Sequence, residues 1–551
     1  MDEVSHTYDV VSVPLYIADA DSQLYEEFPL TFFDDVDDMP WIPVELMTEL
    51  VNTVMQIAYK QQDFNLEFSQ EGSTATVVRE NDYSMEVDYD ADTITFSDYN
   101  GFLCKPGQER LMDMLSYSGF NESGEAELFQ RDNEASFDRY GHYVTLELAD
   151  YDIDLIEVED MGFIPLQTVN DFLLSPLTGR AALFNGQAIF LINSRDLVGE
   201  DGPSPLAEMY FGAGPAERSE AFAEFGFNEL SLMLDYQYGL KDNHGIDSFR
   251  DMFRQIGLKN DLMSTDPAKA DQALHDFLSF YLDDVHTYYN FASWMTGPGN
   301  FERKNGISRT FNDDQENAYK ELRAQVMGGL VDYQEVGNTA YITFDEFSSD
   351  FTPEEYYDSV NADDYLPDTI GLMIAARRAI YREGSPVENV VLDLTCNTGG
   401  AADAALFVIS WIMGQAEVSV EDACTGAQST LVYRADVNMD HVFDDQDTLK
   451  DKHVYILISP VSFSCGNLVP SVCKTHQAIT LIGRTSGGGA CTVQAMSSAW
   501  GSTFAISGNS RLSFRRNGSF YDIDEGVDPD TIRHQPPTPS GKLKSSNSCN
   551  L

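Results

Sequence analysis

Between residues 339 and 482, strand-like and helix-like segments alternate along the chain. Continuous apolar runs at 390–394, 454–459 and 478–482 are typical of strands that are covered on both faces of a sheet. A further strand is predicted at 339–344, and helices are predicted at 372–382 and 401–413. Such alternation favours an α/β fold with a parallel sheet.

The composition divides the rest of the chain into further segments. We predict that residues 1–205 form an α+β accessory region and that residues 206–335 form a helical segment. Residues 336–534 are predicted to form the α/β core, and the Pro/Ser/Lys/Asn-rich residues 535–551 are predicted to be a disordered tail. A loop at 199–205 contains glycine and proline and is the predicted end of the accessory region, which we expect to do no chemistry.

The charge of the chain excludes several classes of function. Its 551 residues include 33 Lys+Arg and 91 Asp+Glu, for a net charge of −58. Such a surface repels phosphate backbones, so we expect no nucleic-acid partner. No apolar run approaches the roughly 18 residues of a membrane span, and the chain begins without a signal peptide. This acidity fits a secreted protein or a cytoplasmic protein of a salt-rich cell; we favour the first, with an extracellular or cell-surface location.

Two strand ends carry residues that suit catalysis, because active sites of α/β sheets lie at the carboxyl ends of strands. Gly399 and Gly400 follow one strand; their N–H groups either hold an anion or form a tight turn. Ser462 and Ser464 follow the next strand, before a helix. A serine there is either a nucleophile or a helix N-cap. The neighbouring Cys465 fits a small buried thiol.

A general base has to come from elsewhere in the chain. His286 stands out among the nine histidines because it follows an apolar helix. A histidine in that position is either a base or only a cap that stabilises the helix dipole.

Four motifs occur in the order found in a known family. They are the acidic segment ending His286-Thr287, the strand 391–394 with Asn397-Thr398-Gly399-Gly400, the turn from Ser462 to Asn467, and Gly526-Val527-Asp528-Pro529-Asp530. Together they resemble the C-terminal-processing (tail-specific) serine protease family over about residues 230–532. The resemblance implies a crotonase/ClpP-like catalytic core with a helical segment that bears the histidine.

The same resemblance implies the site residues. Ser464 aligns with the nucleophile, and Gly399 and Cys465 with oxyanion-hole donors. The lysine of the Ser-Lys branch falls on Gly489, so the chain is more similar to the tricorn-like branch, in which His286 would be the base. The acid of that branch corresponds to Asp524 or Glu525.

These inferences predict a secreted serine endopeptidase that acts on proteins or peptides through a Ser-His-acid triad and needs no cofactor for catalysis. Two alternatives stay open. One is a catalytically inactive relative that binds peptides or small apolar ligands in the same cleft. The other is a structural or adhesive surface protein.

One acidic loop has the spacing of a calcium-binding loop. Oxygen-bearing side chains recur at loop positions 1, 3, 5, 9 and 12, which are Asp436, Asn438, Asp440, Asp444 and Asp447. The spacing predicts either a structural Ca²⁺ site or a solvated acidic turn.

Overall fold

The computed structural model describes residues 7–34, 36–80, 82–103, 128–132, 137–199, 202–298, 304–359, 365–476 and 478–532. The predicted disordered tail at 535–551 lies outside these ranges. None of the helices in these ranges is long and apolar enough to cross a membrane.

A six-stranded sheet forms the centre of the catalytic half. Its strands run in the order Tyr333–Val336, Thr339–Thr343, Asn389–Asp393, His453–Ile458, Ile479–Gly483 and Thr531–Ile532. All neighbours are parallel except the first pair, which is antiparallel. The predicted α/β class is confirmed, and the predicted strands agree with the observed ones to within a residue at each end. The crotonase/ClpP-like topology stays a prediction.

The helices of this half lie between the strands of the sheet along the chain. They are Pro353–Ser359, Thr369–Ile380, Ala402–Met413 and Cys465–Cys473. Six residues, 459–464, connect the strand His453–Ile458 to the last of these helices. This connection is where the sequence predicts the nucleophile.

An eight-stranded sheet connects the histidine-bearing segment to the catalytic half. Five of its strands are neighbours in the order Tyr288–Phe291, Thr503–Arg516, Ala416–Asp422, Gln428–Ala435 and Phe129–Arg131. Cys491–Ser497 and Ser519–Tyr521 also pair with Thr503–Arg516, and Phe137–Arg139 pairs with Gln428–Ala435. Tyr288 pairs with Ala505. The strand that follows His286 is therefore fixed against a strand from the end of the chain.

The N-terminal region contains two larger sheets and a small ribbon. The seven-stranded sheet has the order Ile156–Val158, Met161–Pro165, Val36–Pro43, Gln23–Phe33, Tyr8–Ile17, Ile189–Ile192 and Ala181–Phe184. The five-stranded sheet is antiparallel, in the order Val144–Glu147, Thr93–Phe96, Tyr83–Asp88, Thr74–Arg79 and Leu66–Glu71. Val198–Gly199 pairs with Gly202–Pro203.

Helices dominate residues 205–282, as the sequence predicts. They are Pro205–Phe211, Glu220–Gln237, Phe249–Gln255, Lys259–Leu262 and Pro267–Asp276, with a π-helical turn at Phe277–Leu282. Helices outside this segment are Val44–Thr53 (continued by a π-turn Val54–Ala58), Tyr99–Leu103, Leu166–Val169, Asn170–Leu174 (π), Ser175–Thr178 and Ile307–Met327.

The buried cores do not follow the predicted segment boundaries. One core joins apolar side chains of the N-terminal sheets to the helical segment and to residues 491–506. Phe129 and Phe137, from the N-terminal region, belong instead to the core of the catalytic half. The boundary near 205 therefore falls inside a core that the N-terminal sheets and the helical segment share.

Candidate active site

Ser464 occupies a strained turn at the start of the helix Cys465–Cys473. Its φ of 56° and ψ of −123° lie outside the regions that non-glycine residues usually adopt. The Ser464 N–H donates to the Gly488 carbonyl at 2.9 Å, which holds the turn in place. The Ser464 side chain makes no N-cap hydrogen bond, so the interpretation as a helix cap is not supported.

The competing serine, Ser462, is committed to the fold. Its hydroxyl donates to the Leu394 carbonyl at 2.7 Å and accepts the Ser459 N–H at 2.9 Å. Ser462 is fully buried. A hydroxyl that is buried and bonded in this way cannot approach a substrate, and Ser464 is the remaining candidate.

Cys465 is a structural thiol. It is buried, and its Sγ lies 3.2 Å from the Gly400 carbonyl oxygen. Burial raises the pKa of this thiol to about 12. Because the thiolate is the nucleophilic form, Cys465 does not compete with Ser464.

His286 lies on a turn whose backbone is held by Asp284. The Asp284 carboxylate accepts the N–H groups of His286 at 3.1 Å and Thr287 at 2.9 Å. It also accepts the Ser507 hydroxyl at 2.7 Å and, on its other oxygen, the Tyr238 hydroxyl at 2.7 Å. Four donors from three segments therefore fix the turn that carries the histidine.

The environment of His286 favours a neutral imidazole. The residue is 7% exposed, and its ring centroid lies 4.6 Å from that of Phe463, next to Ser464. Burial lowers the pKa of His286 to about 4; the charge of Asp284 opposes this shift and that of Arg309 adds to it. A neutral imidazole is the form that accepts a proton.

Ser464 and His286 line the same cavity, which has a volume of about 800 Å³. In the described part of the chain, neither the Ser464 hydroxyl nor the His286 imidazole has a hydrogen-bond partner. Catalytic hydrogen bonds are often long or unformed before substrate binds. The cavity therefore holds the nucleophile and the base with their reactive groups uncommitted.

The structure gives the predicted acids, Asp524 and Glu525, other surroundings. Asp524 accepts the Ala490 N–H at 2.9 Å, and burial raises the pKa of its carboxyl group. Glu525 is exposed. Neither is among the charges that act on His286, whereas Asp284 is. The sequence did not single out Asp284, although it lies two residues before His286, and the identity of the triad acid stays a prediction.

The predicted oxyanion-hole donors differ in their availability. The Gly399 N–H donates to the Asn397 side-chain oxygen at 3.0 Å, so in this conformation it is occupied. The Phe347 N–H donates to the Gly399 carbonyl, and the Phe347 carbonyl accepts the Ala401 N–H, so Phe347 pairs with Gly400 as in a parallel sheet. In such a pair the N–H of the middle residue, Gly400, points away from Phe347. Neither the Gly400 N–H nor the Cys465 N–H donates a hydrogen bond to any of the described residues. Those two groups are the available pair.

Gly399 is nevertheless required beside the nucleophile. Its φ is 107°, and a Cβ at this position would lie 2.5 Å from the Ser464 Cβ. Only glycine lets the backbone approach the serine this closely.

The position of the family's lysine has no room for one. Gly489 has a φ of 85°, and a Cβ there would lie 2.5 Å from the Phe463 ring. The nearest lysine in sequence to Ser464, Lys474, bonds instead to the backbone of Asp528 and lies near Asp530. The Phe463 ring, which also packs on His286, fills the space that a lysine side chain would need.

The acidic loop at 436–447 satisfies its own backbone. Asp436 accepts the N–H groups of Asp440 and His441, and Asp447 accepts those of Val437, Asn438 and Asp444. Asp440 and Asp444 accept the N–H groups of Val442 and Gln446. No group of three or more His, Cys, Asp or Glu side chains in the described ranges is arranged to hold a metal. These carboxylates thus accept backbone N–H groups of their own loop, and the calcium site stays a prediction.

Comparison with known proteins identifies the part of the chain that contains Ser464. Residues 338–532 match the model of Peptidase family S41, which confirms the resemblance that the four motifs predict; the branch within the family stays a prediction. No curated protein matches the chain.

Three similar solved structures illustrate the extent of the likeness. The photosystem II D1 C-terminal processing protease has 19% identity over 35% of this chain and 42% of its own, with a TM-score of 0.26. A lipoprotein from Streptococcus agalactiae has 12% identity over 58% and 93%, with a TM-score of 0.35. Mature CPAF has 12% identity over 57% and 93%, with a TM-score of 0.36. This chain thus spans about two fifths of the length of the first.

Proposed function

Because residues 338–532 match the model of Peptidase family S41, we propose that this chain cleaves peptide bonds with Ser464 as nucleophile and His286 as general base. The observation that carries the proposal is the shared cavity: a serine on a strained turn and a buried, neutral histidine line it together. Proteins or peptides are the proposed substrates.

In the acylation step, the Ser464 oxygen attacks the carbonyl carbon of the scissile bond while His286 takes the hydroxyl proton. The tetrahedral intermediate collapses when His286 gives this proton to the leaving amine, and an acyl-enzyme ester remains. A water molecule then attacks the ester, again with His286 as base. Hydrolysis releases the acid product and restores the Ser464 hydroxyl.

We assign the oxyanion hole to the N–H groups of Cys465 and Gly400. Cys465 is the first residue of its helix, where N–H groups have no partner within the helix and the helix dipole is positive. Each such donor contributes about 3 kcal/mol of transition-state stabilisation. Gly399 would join them if its bond to Asn397 opened on substrate binding.

Asp284 is the acid that we propose for the charged intermediate. Its carboxylate already accepts four hydrogen bonds, so it would act on His286 through its charge and by fixing the turn. The negative charge stabilises the imidazolium that forms when Ser464 loses its proton. Asp524 would support this arrangement indirectly by anchoring the loop at Ala490.

Labelling with a fluorophosphonate probe tests the assignment of the nucleophile. We expect stoichiometric modification at Ser464, loss of labelling in Ser464→Ala, and retention in a folded Ser462→Ala variant. Labelling that persists in Ser464→Ala and maps to another residue would overturn the assignment.

A catalytically inactive relative that binds peptides is the second candidate. The occupied Gly399 N–H favours it, since a hole that lacks this donor stabilises the oxyanion less. The two candidates differ in a simple measurement: an inactive protein would bind peptides without labelling by the probe and without releasing products. The net charge of −58 supports an extracellular location for either candidate.

A further inference from the structure

Two arginines in the catalytic cavity pair with no carboxylate among the described residues, although acidic residues outnumber basic ones by 91 to 33 in the full sequence. They are Arg195 and Arg309, which both line the cavity that contains Ser464. Many arginines elsewhere pair with carboxylates: Arg139, Arg180, Arg250, Arg254, Arg323, Arg382, Arg434, Arg511 and Arg515. Arg218, Arg377, Arg484 and Arg516 also make no ion pair with a described carboxylate, but Arg195 and Arg309 are the two described arginines that line the cavity of Ser464.

The Arg309 guanidinium is held beside His286. One of its nitrogens donates to the Val285 carbonyl at 3.3 Å, and the group lies 5.1 Å from the centre of the Tyr288 ring. These two contacts flank His286 in sequence. A guanidinium has five N–H donors in a planar fork. The remaining donors meet no acceptor within the described ranges, so they are available to a ligand.

Arg195 reaches the same cavity from the N-terminal region. It lies in the short helical turn Ser194–Leu197, which is fixed by a capping box between Asn193 and Asp196. The neighbouring Asp196 is paired with Arg180 and is therefore not the partner of Arg195. A rigid turn thus presents a charged, exposed side chain to the cavity.

The acidic side chains of the cavity lie on other segments or have partners of their own. Glu346 and Asp350 flank Phe347, the residue that bridges to Gly400. Glu316 bonds to Lys320 at 2.6 Å, and Asp313 accepts from the Asn305 side chain at 3.2 Å. An anionic group of a substrate would be repelled by Glu346 and Asp350 and attracted to the two arginines.

Resting on the proposed peptidase function, we infer that Arg195 and Arg309 form a subsite that binds a carboxylate of the substrate while the scissile carbonyl lies at Ser464. Arginine suits this task because its fork accepts a carboxylate in a bidentate arrangement. The accessory region would then contribute to substrate specificity through Arg195, while doing no chemistry itself.

Peptide pairs that differ by one charge test the subsite in the full chain. Fluorogenic peptides with amidated C-termini carry either Glu or Gln at one position, scanned along both sides of the scissile bond. We expect kcat/KM to favour Glu about tenfold or more at one position. Arg309→Gln and Arg195→Gln should each reduce this ratio towards one, whereas Arg254→Gln, a surface arginine paired with Asp251, should leave it unchanged.

The ratio separates specificity from catalysis, because any effect of Arg309 on His286 acts equally on both peptides. A Gln-only peptide with a free C-terminus, compared with its amidated form, shows whether a terminal carboxylate can fill the subsite. Glu/Gln and free/amidated ratios near one in the wild type would overturn the subsite and leave the peptidase function standing. A preference for Glu over Gln that persists in both Arg309→Gln and Arg195→Gln would also overturn the subsite.

Binding to Ser464→Ala distinguishes failure of the subsite from failure of the proposed chemistry. If no peptide is cleaved, but Ser464→Ala binds the Glu peptide about tenfold more tightly than the Gln peptide, the subsite stands and the peptidase proposal falls. Equal binding of the two peptides, or no binding of either, overturns the subsite.

Discussion

The protonation state of His286 is set by its immediate neighbours. A base with an ordinary histidine pKa of about 6.5 would make activity rise with pH between about 6 and 7, as the sequence alone suggests. Burial and the nearby Arg309 instead lower the pKa of His286 to about 4. The neutral, active form thus persists into more acidic solution.

The pH dependence of kcat/KM tests this shift. We expect the acidic limb of the profile well below pH 6.5, near 4. Arg309→Gln removes a positive charge that disfavours the imidazolium, so it should raise the pKa of His286 and move the limb to higher pH. The limb of Arg254→Gln should not move. A wild-type limb at 6.5, unchanged in Arg309→Gln, would contradict the described surroundings of His286.

Gly489 shows at the scale of one residue why a Ser-Lys dyad does not fit here. Gly489 and Gly518 have nearly the same φ, 85° and 82°, but a Cβ at Gly518 meets open space whereas one at Gly489 meets the Phe463 ring. Gly518→Ala should therefore cost only the backbone strain, about 1–2 kcal/mol. Gly489→Ala should lower the free energy of unfolding by that amount and by a further amount, because the Phe463 ring has to move.

Urea unfolding of the two alanine variants measures the difference. A clearly larger loss of stability in Gly489→Ala, together with reduced hydrolysis as Phe463 moves against His286, is the expected result. Equal losses would show that the Phe463 ring yields freely. In that case, the argument against a lysine at this position would fail.

At the scale of elements, a buried carboxyl pair connects the N-terminal region to the helical segment. Asp171, in the π-turn Asn170–Leu174, and Glu229, in the helix Glu220–Gln237, are both about 1% exposed. Burial raises the pKa of Glu229 to about 8, and burial with the neighbouring Glu229 raises that of Asp171 well above its ordinary value. The pair therefore retains a proton in the folded state.

The pair predicts a loss of stability with rising pH. An unfolded glutamate has a pKa of about 4.3, so the folded state binds more protons between that value and about 8. The stabilisation is complete below about pH 4.3 and is lost as pH rises through about 8, with a slope of about 1.4 kcal/mol per pH unit for each proton that the folded pair retains.

The pH dependence of urea unfolding tests this interpretation. Glu229→Gln should flatten it, whereas Glu224→Gln, on an exposed part of the same helix, should leave it intact. If Glu229→Gln and Glu224→Gln gave the same profile as the wild type, the pair would not share a proton.

Much of the architecture follows from local sequence patterns. The strand at Asn389–Asp393 and the helix at Ala402–Met413 differ from the predicted segments by one residue at an end, because apolar runs and glycine turns are local signals. The start of the helix at Pro267 is fixed by a similarly local signal, because the Asp266 side chain accepts the Ala268 N–H, as is typical of an N-cap residue.

The candidate site was less predictable because it depends on contacts between distant segments. The serine turn and His286 could be singled out from sequence, but the bond between Gly399 and Asn397, which occupies a predicted oxyanion donor, could not. The contact of Arg309 with the residues around His286 likewise requires the fold. The acidic loop at 436–447 illustrates the same dependence on the fold, because spacing alone does not say whether carboxylates turn towards a cation or towards backbone N–H groups.

At the scale of the whole molecule, the accessory region and the histidine-bearing segment share one core. That core contains Phe28 and Leu30 of the N-terminal sheet together with Leu274 and Phe277, from the helices that precede His286. Removing residues 1–205 would expose a large apolar surface. We therefore expect residues 1–205 to support the segment that carries His286, while doing no chemistry of their own.

A truncated chain that begins at residue 206 tests this role. We expect it to be insoluble, or to unfold without a cooperative transition, and to hydrolyse no peptide of any length. Circular dichroism and thermal melting against the full chain provide the comparison. A soluble, cooperatively folded fragment that cleaves small peptides would restore the boundary near 205.

The central claim is that Ser464 and His286 act as one catalytic unit, and the kinetics of three variants test it most directly. Residues that act as a unit give non-additive losses, and a single removal costs about as much as a joint one. We predict that Ser464→Ala, His286→Ala and the double variant, each folded like the wild type, lose kcat to the same low level, about 10⁴-fold or more. Full activity in His286→Ala, or losses that multiply in the double variant, would contradict the claim.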